Sequence, residues 1–136
     1  MAFIFYNENP NSLRVGDCVV RAISKVEDMD WYDTYIDMCS QGMEMTDMPS
    51  SNRVWMAYLK EIGYSINLLP ADCPNCYSIA DFCKDYPKGN YLLATGSHLV
   101  AVVDGDYYDT WDSGEEVPIY YFAKKEDEDG TIQSTV

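Results

Sequence analysis

Apolar residues recur at helical spacing up to about residue 90 and at strand spacing after it. A short first strand is predicted over Ala2 to Tyr6, followed by the turn-rich Asn7-Glu8-Asn9-Pro10-Asn11-Ser12. Gly16-Asp17 opens the first helix, with Asp17 as N-cap for Cys18 onward. Asp28 or Asp30 caps a second helix with the stripe Trp31, Tyr35, Met38 and Cys39, which stops near Gly42. Ser50 or Ser51 caps a third, whose inner face is Val54, Trp55, Tyr58, Leu59 and Ile62 and which Gly63 closes. A strand is predicted over Ser65 to Leu69, and a short helix from Ser78 carries Ile79, Phe82 and Cys83 and ends before Pro87. Four strands follow: Tyr91 to Ala94, His98 to Val103, Tyr107 to Trp111 and Val117 to Phe122. Helices first and an antiparallel sheet last is an α+β pattern. Residues 1–123 read as one domain, and residues 124–136, with Glu126-Asp127-Glu128-Asp129, as an acidic, flexible tail.

Charge narrows the partners. The formal net charge is -14, and the few Lys and Arg residues are scattered, so the basic surface that displaces phosphate counterions is missing. Neither nucleic acid nor an anionic membrane is an expected partner, whereas a basic partner would be attracted. The start, Met1 to Tyr6, lacks the length and basic flank of a signal peptide, and no apolar run is long enough to span a bilayer. Five cysteines, an odd count, argue against a disulfide framework. The expectation is a cytoplasmic protein with reduced thiols.

The candidate chemistry centres on Cys18 and on His98, the only histidine. A thiol at a helix start lies in the partial positive field of the free N–H groups, which favours the thiolate and can hold an oxyanion. A buried core cysteine is the bland alternative for Cys18, and a hydrogen-bonded strand-end residue for His98. The hairpin joins them to an acid. Asp104-Gly105 is a two-residue turn signal, which pairs Val103 with Asp106 and sets His98 opposite Trp111. His98, Trp111 and Asp109 then share one face, with Asp109 in diagonal reach. A three-residue turn or a bulge would bring Asp112 opposite His98 instead.

Gly16-Asp17-Cys18-Val19-Val20-Arg21-Ala22, Gly96-Ser97-His98-Leu99 and Tyr108-Asp109-Thr110-Trp111-Asp112 together resemble the papain-like cysteine peptidase superfamily, most closely its small uncharacterised bacterial and phage proteins. The likeness runs roughly from Asn9 to Phe122. It implies a helical half packed against an antiparallel sheet half with the site between them. It also implies a Cys18, His98 and Asp109 triad, with Trp111 shielding the His–Asp contact. Papain-like enzymes set a Gln or Asn upstream of the cysteine to complete the oxyanion hole. Here Asn11 and Ser12 stand at about that distance, with Asn9 and Asn7 further back and no Gln; Asn11 is the choice, since its amide can donate to an oxyanion.

The expected function is a cysteine hydrolase, a peptidase or isopeptidase on a peptide or protein substrate, working through an acyl-enzyme without cofactor or metal. A transglutaminase or amidase variant and a catalytically inactive interaction or inhibitor protein of phage or mobile-element type are the alternatives. The composition leaves the oligomeric state open. Cys73-Pro74-Asn75-Cys76 is a lone CxxC pair; incidental loop cysteines, a zinc half-site and a redox pair are the readings it allows.

Overall fold

The computed structural model describes residues 1–70 and 76–124. Cys73 and most of the expected tail lie outside that range. Among the described residues the chain is α+β, with four helices and a six-stranded sheet. The helices are α1 (Cys18–Glu27), α2 (Trp31–Met45), α3 (Asn52–Glu61) and α4 (Ile79–Asp85). The strands are β1 (Phe3–Phe5), β2 (Tyr64–Leu68), β3 (Asn90–Ala94), β4 (Leu99–Val103), β5 (Asp106–Asp109) and β6 (Tyr120–Lys124). No helix among the described residues is long and apolar enough to cross a membrane.

The sheet order is β1-β5-β4-β3-β6-β2, and it is mixed rather than antiparallel. β1 runs parallel to β5, with Phe3 opposite Tyr107 and Phe5 opposite Asp109. Such a pairing needs no local turn, so nothing in the hairpin pattern announces it. The helices are not gathered on one side either. Leu92, Ala94, Leu99, Ala101 and Phe122 pack with α1 and α3. Their alternates Leu93, Val100, Val102 and Tyr107 pack with α4 through Ile79, Phe82 and Cys83. β4 is therefore apolar at every position because both of its faces are covered.

Local chemistry explains most element ends. Ser51 is the N-cap of α3, and Gly63 follows it with φ +103°. Ser78 and Asp81 form a reciprocal capping box that starts α4. α2 does not stop at Gly42 but continues to Met45, where Thr46 takes the left-handed cap at φ 50°. Gly42 is there for closeness: a Cβ on it would stand 2.7 Å from the Asp47 carbonyl oxygen. The buried side of α2 is Thr34, Met38, Gln41 and Gly42; of the expected stripe, Met38 is buried, Trp31 packs against the core, and Tyr35 faces outward.

At the β4–β5 turn, Asp104 (φ 49°) and Gly105 (φ 80°) both take positive φ, which is the two-residue turn that matches strand twist. Val103 pairs with Asp106, Val102 with Tyr107 and Ala101 with Tyr108. His98 immediately precedes β4, and Asp109 is the last residue of β5. The same end of the sheet meets the start of α1.

Candidate active site

Cys18 is the first residue of α1 and is half-buried. The first backbone bond of that helix runs from Arg21 N–H to Asp17 C=O at 2.8 Å. The N–H groups of Cys18, Val19 and Val20 precede it and have no carbonyl of the helix to bond. Asp17 occupies the N-cap position but its side chain does not cap. Its carboxylate turns away from the free N–H groups, accepting from Arg21 Nη1 at 2.7 Å and from Trp31 Nε1 at 2.9 Å. A capping carboxylate would have spent those donors.

Cys18, His98 and Leu99 line one cavity, and the imidazole and the Leu99 backbone N–H lie close enough to the thiol to act on its charge. His98 Nε2 lies 2.6 Å from Asp109 Oδ2. Since that carboxylate can only accept, Nε2 carries the proton, and Nδ1 is the nitrogen left for Cys18. The imidazole thus lies between the sulfur and the acid. Trp111 is 46% exposed and sets its ring 5.5 Å from that of His98, covering it from one side.

Asp109 is fully buried and fully used. Oδ2 accepts from His98 and from Ser113 Oγ at 2.7 Å, while Oδ1 accepts from Arg21 Nη2 at 3.0 Å and from Thr110 N–H at 2.8 Å. Among the described residues no buried side-chain polar atom lacks a partner. Asp112 is not at His98: it accepts from the Tyr107 hydroxyl and from Gly114 N–H. The two-residue turn sends it to the other side of the hairpin.

These contacts set the charges. Burial pushes the Cys18 thiol up, but bonds from His98 and Leu99 N–H and the charges of His98 and Arg21 outweigh it, leaving it below its ordinary value. Burial pulls His98 down, yet Asp109 and Cys18 raise it to about 9. For Asp109 burial raises, and His98, Ser113 and Thr110 N–H lower, so the carboxyl is depressed. The lowered thiol and the raised imidazole both favour the thiolate–imidazolium pair over the neutral pair. Cys83 is the contrast: burial, with the charge of Asp106 adding to it, pushes its thiol up to about 11.

Beside Cys18 and His98 lies a cavity of about 510 Å³, walled by Val20, Trp31, Tyr35, Met38, Trp55 and Leu99. Trp31 and Tyr35 stack at 5.1 Å and 8° along its lip. The cavity leads to the sulfur, so the thiol is reachable.

Asn11 does not join the site. It is exposed, and it does not line this cavity. Its loop is shaped by buried Asn9, whose Oδ1 accepts from the N–H groups of Asn11 (3.0 Å) and Leu13 (3.2 Å). Arg21 and Ser113 are the site residues that sequence reasoning missed. Arg21 carried a readable sign: it is a cation inside the apolar run Val19-Val20-Arg21-Ala22-Ile23, four residues after an acid. Ser113 carried none. No group of three or more metal-ligating side chains gathers among the described residues. Cys76 is exposed, and its CxxC partner Cys73 lies outside the described range.

No protein-family model, no curated protein and no solved structure matches the chain.

Proposed function

We propose that the protein is a cysteine hydrolase, a peptidase or isopeptidase of papain-like type, acting on peptide or protein substrates through Cys18, His98 and Asp109. One observation carries the reading: the sole imidazole lies 2.6 Å from a buried carboxylate and lines one cavity with a thiol at a helix start. The Cys18 thiolate attacks the scissile carbonyl carbon, and a C–S bond forms. The oxygen becomes an oxyanion, held by the free N–H groups of the first turn of α1. The C–N bond then breaks as the His98 imidazolium gives its proton to the departing amine. Neutral His98 next takes a proton from water, the hydroxide attacks the thioester, and the thiolate leaves. Asp109 keeps the Nε2 proton in place throughout. An amine in place of water would make the same intermediate a transferase product. The apolar wall suits an uncharged acyl-side residue, and the net charge of -14 draws cationic chains.

The test is labelling by a small neutral electrophile at neutral pH, followed by mass spectrometry. Cys18 should react far faster than exposed Cys76, and His98→Ala should remove that excess. Equal rates at both would end the proposal. A non-catalytic interaction protein on the same scaffold is the second reading, favoured by Asn11 standing outside the cleft. Rapid labelling of Cys18 with no acyl-enzyme from any peptide pool would select it.

A further inference from the structure

Arg21 has no part in the reaction just described, yet it is buried against the centre of the site. It is 5% exposed, and it holds Asp17 at 2.7 Å and Asp109 at 3.0 Å. A buried guanidinium is kept only when paired and hydrogen-bonded, and these two carboxylates do both. The bond to Asp17 is local to α1; the one to Asp109 crosses from α1 to the end of β5. It also divides the work of the Asp109 carboxylate. Arg21 and Thr110 N–H occupy Oδ1, which leaves Oδ2 to His98 and Ser113. The carboxylate cannot turn about its bond to Cβ without breaking all four contacts.

Charge counting gives Arg21 a second effect. One guanidinium lies between two carboxylates, so a single negative charge remains, and the His98 imidazolium matches it. The Cys18 sulfur is one residue from Asp17 and would feel that acid directly if Arg21 did not neutralise it. Tyr6, after β1, feels the charges of Arg21, Glu8 and Asp28, and Tyr35, from α2, lines the cavity beside Cys18.

We propose that Arg21 is a positioning residue: it locks the Asp109 carboxylate onto His98 and, with Asp17 as its tuning partner, supplies the positive field that keeps the Cys18 sulfur charged. The proposal rests on the cysteine-hydrolase reading of the site. The direction of the Arg21 charge on Cys18, lowering the thiol, agrees with it.

The test is the pH profile of Cys18 alkylation by iodoacetamide in the whole protein, from about pH 4 to about pH 10. Arg21→Gln should raise the midpoint of the acid limb by about one pH unit, which slows alkylation about tenfold at a fixed pH on that limb. Arg21→Lys keeps the charge and should return the limb to its wild-type position. Asp17→Asn removes the opposing charge and should move the limb downward. These opposite signs separate the role from simple damage, since a loosened site would move both variants the same way. If Arg21→Gln does not fold, the Arg21→Lys and Asp17→Asn profiles still decide the question. An unmoved acid limb in Arg21→Gln, shifts of one sign in Arg21→Gln and Asp17→Asn, or an unmoved or raised limb in Asp17→Asn would overturn the proposal. Failure of the parent reading looks different: wild-type Cys18 would then react no faster than Cys76.

Discussion

At the scale of single residues the candidate site is a row of ionisable groups: thiol, imidazole, carboxylate, guanidinium, carboxylate. Because His98 is the only histidine, its ring gives one resolvable imidazole signal. Asp109→Asn removes the charge that most strongly opposes burial at that ring. Its titration should fall from about 9 toward the ordinary value near 6.5, read by proton NMR across pH. An unchanged titration would mean that Asp109 does not hold the proton. The same ring has a signature in stability. Its raised value means that the folded state keeps a proton the unfolded chain releases. That contribution is complete below about pH 6.5 and fades as the pH climbs through about 9. The lowered Cys18 thiol acts in the opposite sense, since the folded state releases a proton that the unfolded chain keeps, so its contribution grows with rising pH. In the wild-type protein the two offset. Cys18→Ala leaves only the first, reduced by the part that Cys18 itself supplies, and its Tm should fall more steeply than wild type as the pH rises above about 6.5. Parallel curves would mean that no such ion pair forms. The meeting of His98 with Asp109 was legible in the hairpin, from the turn type and the alternation of faces. Asn11 was not placed correctly, because distance along the chain does not say where a loop closes, and Asn9 closes this one away from the cleft.

At the scale of elements, the β4–β5 turn decides which acid meets His98. Gly105 stands at φ 80°, and a Cβ there would lie 3.3 Å from the Cys83 carbonyl oxygen and from Pro87 Cα. Gly105→Ala should therefore cost about 1–2 kcal/mol, seen as a lower urea midpoint with unchanged slope. No loss would show that the turn tolerates an L side chain and does not pin the register. The capping box at α4 makes a smaller claim: Ser78→Ala should cost about 1 kcal/mol. Turns and caps such as these were legible because they are made by neighbours in sequence. Element ends were less so. The end of α2 depends on the close approach of Asp47 to Gly42. The start of β6 at Tyr120 depends on pairing with β3, which joins Tyr120 to Ala94. Neither partner is adjacent in the chain.

At the scale of the whole molecule, charge is the dominant unpaired quantity. With 23 acidic residues against 9 basic ones, self-repulsion opposes the compact state. Salt screens exposed charges over about 8–10 Å, so Tm should rise from low ionic strength to about 0.15 M. The buried Asp17–Arg21–Asp109 cluster is shielded and should not reverse that trend. A falling Tm would show that surface ion pairs outweigh repulsion. The sequence by itself determined the α+β class, the periods of the helices and strands, the hairpin turn and the residue types fit for thiol chemistry. All of these follow from short-range sterics, hydrogen bonding and the need to bury an apolar face. Only the tertiary structure decided that β1 joins in parallel beyond β5, that α4 covers the far face of the sheet, and that Arg21 meets Asp109. Those contacts link distant parts of the chain. What selects them is the filling of one shared core and the pairing of buried charge, which no local pattern encodes.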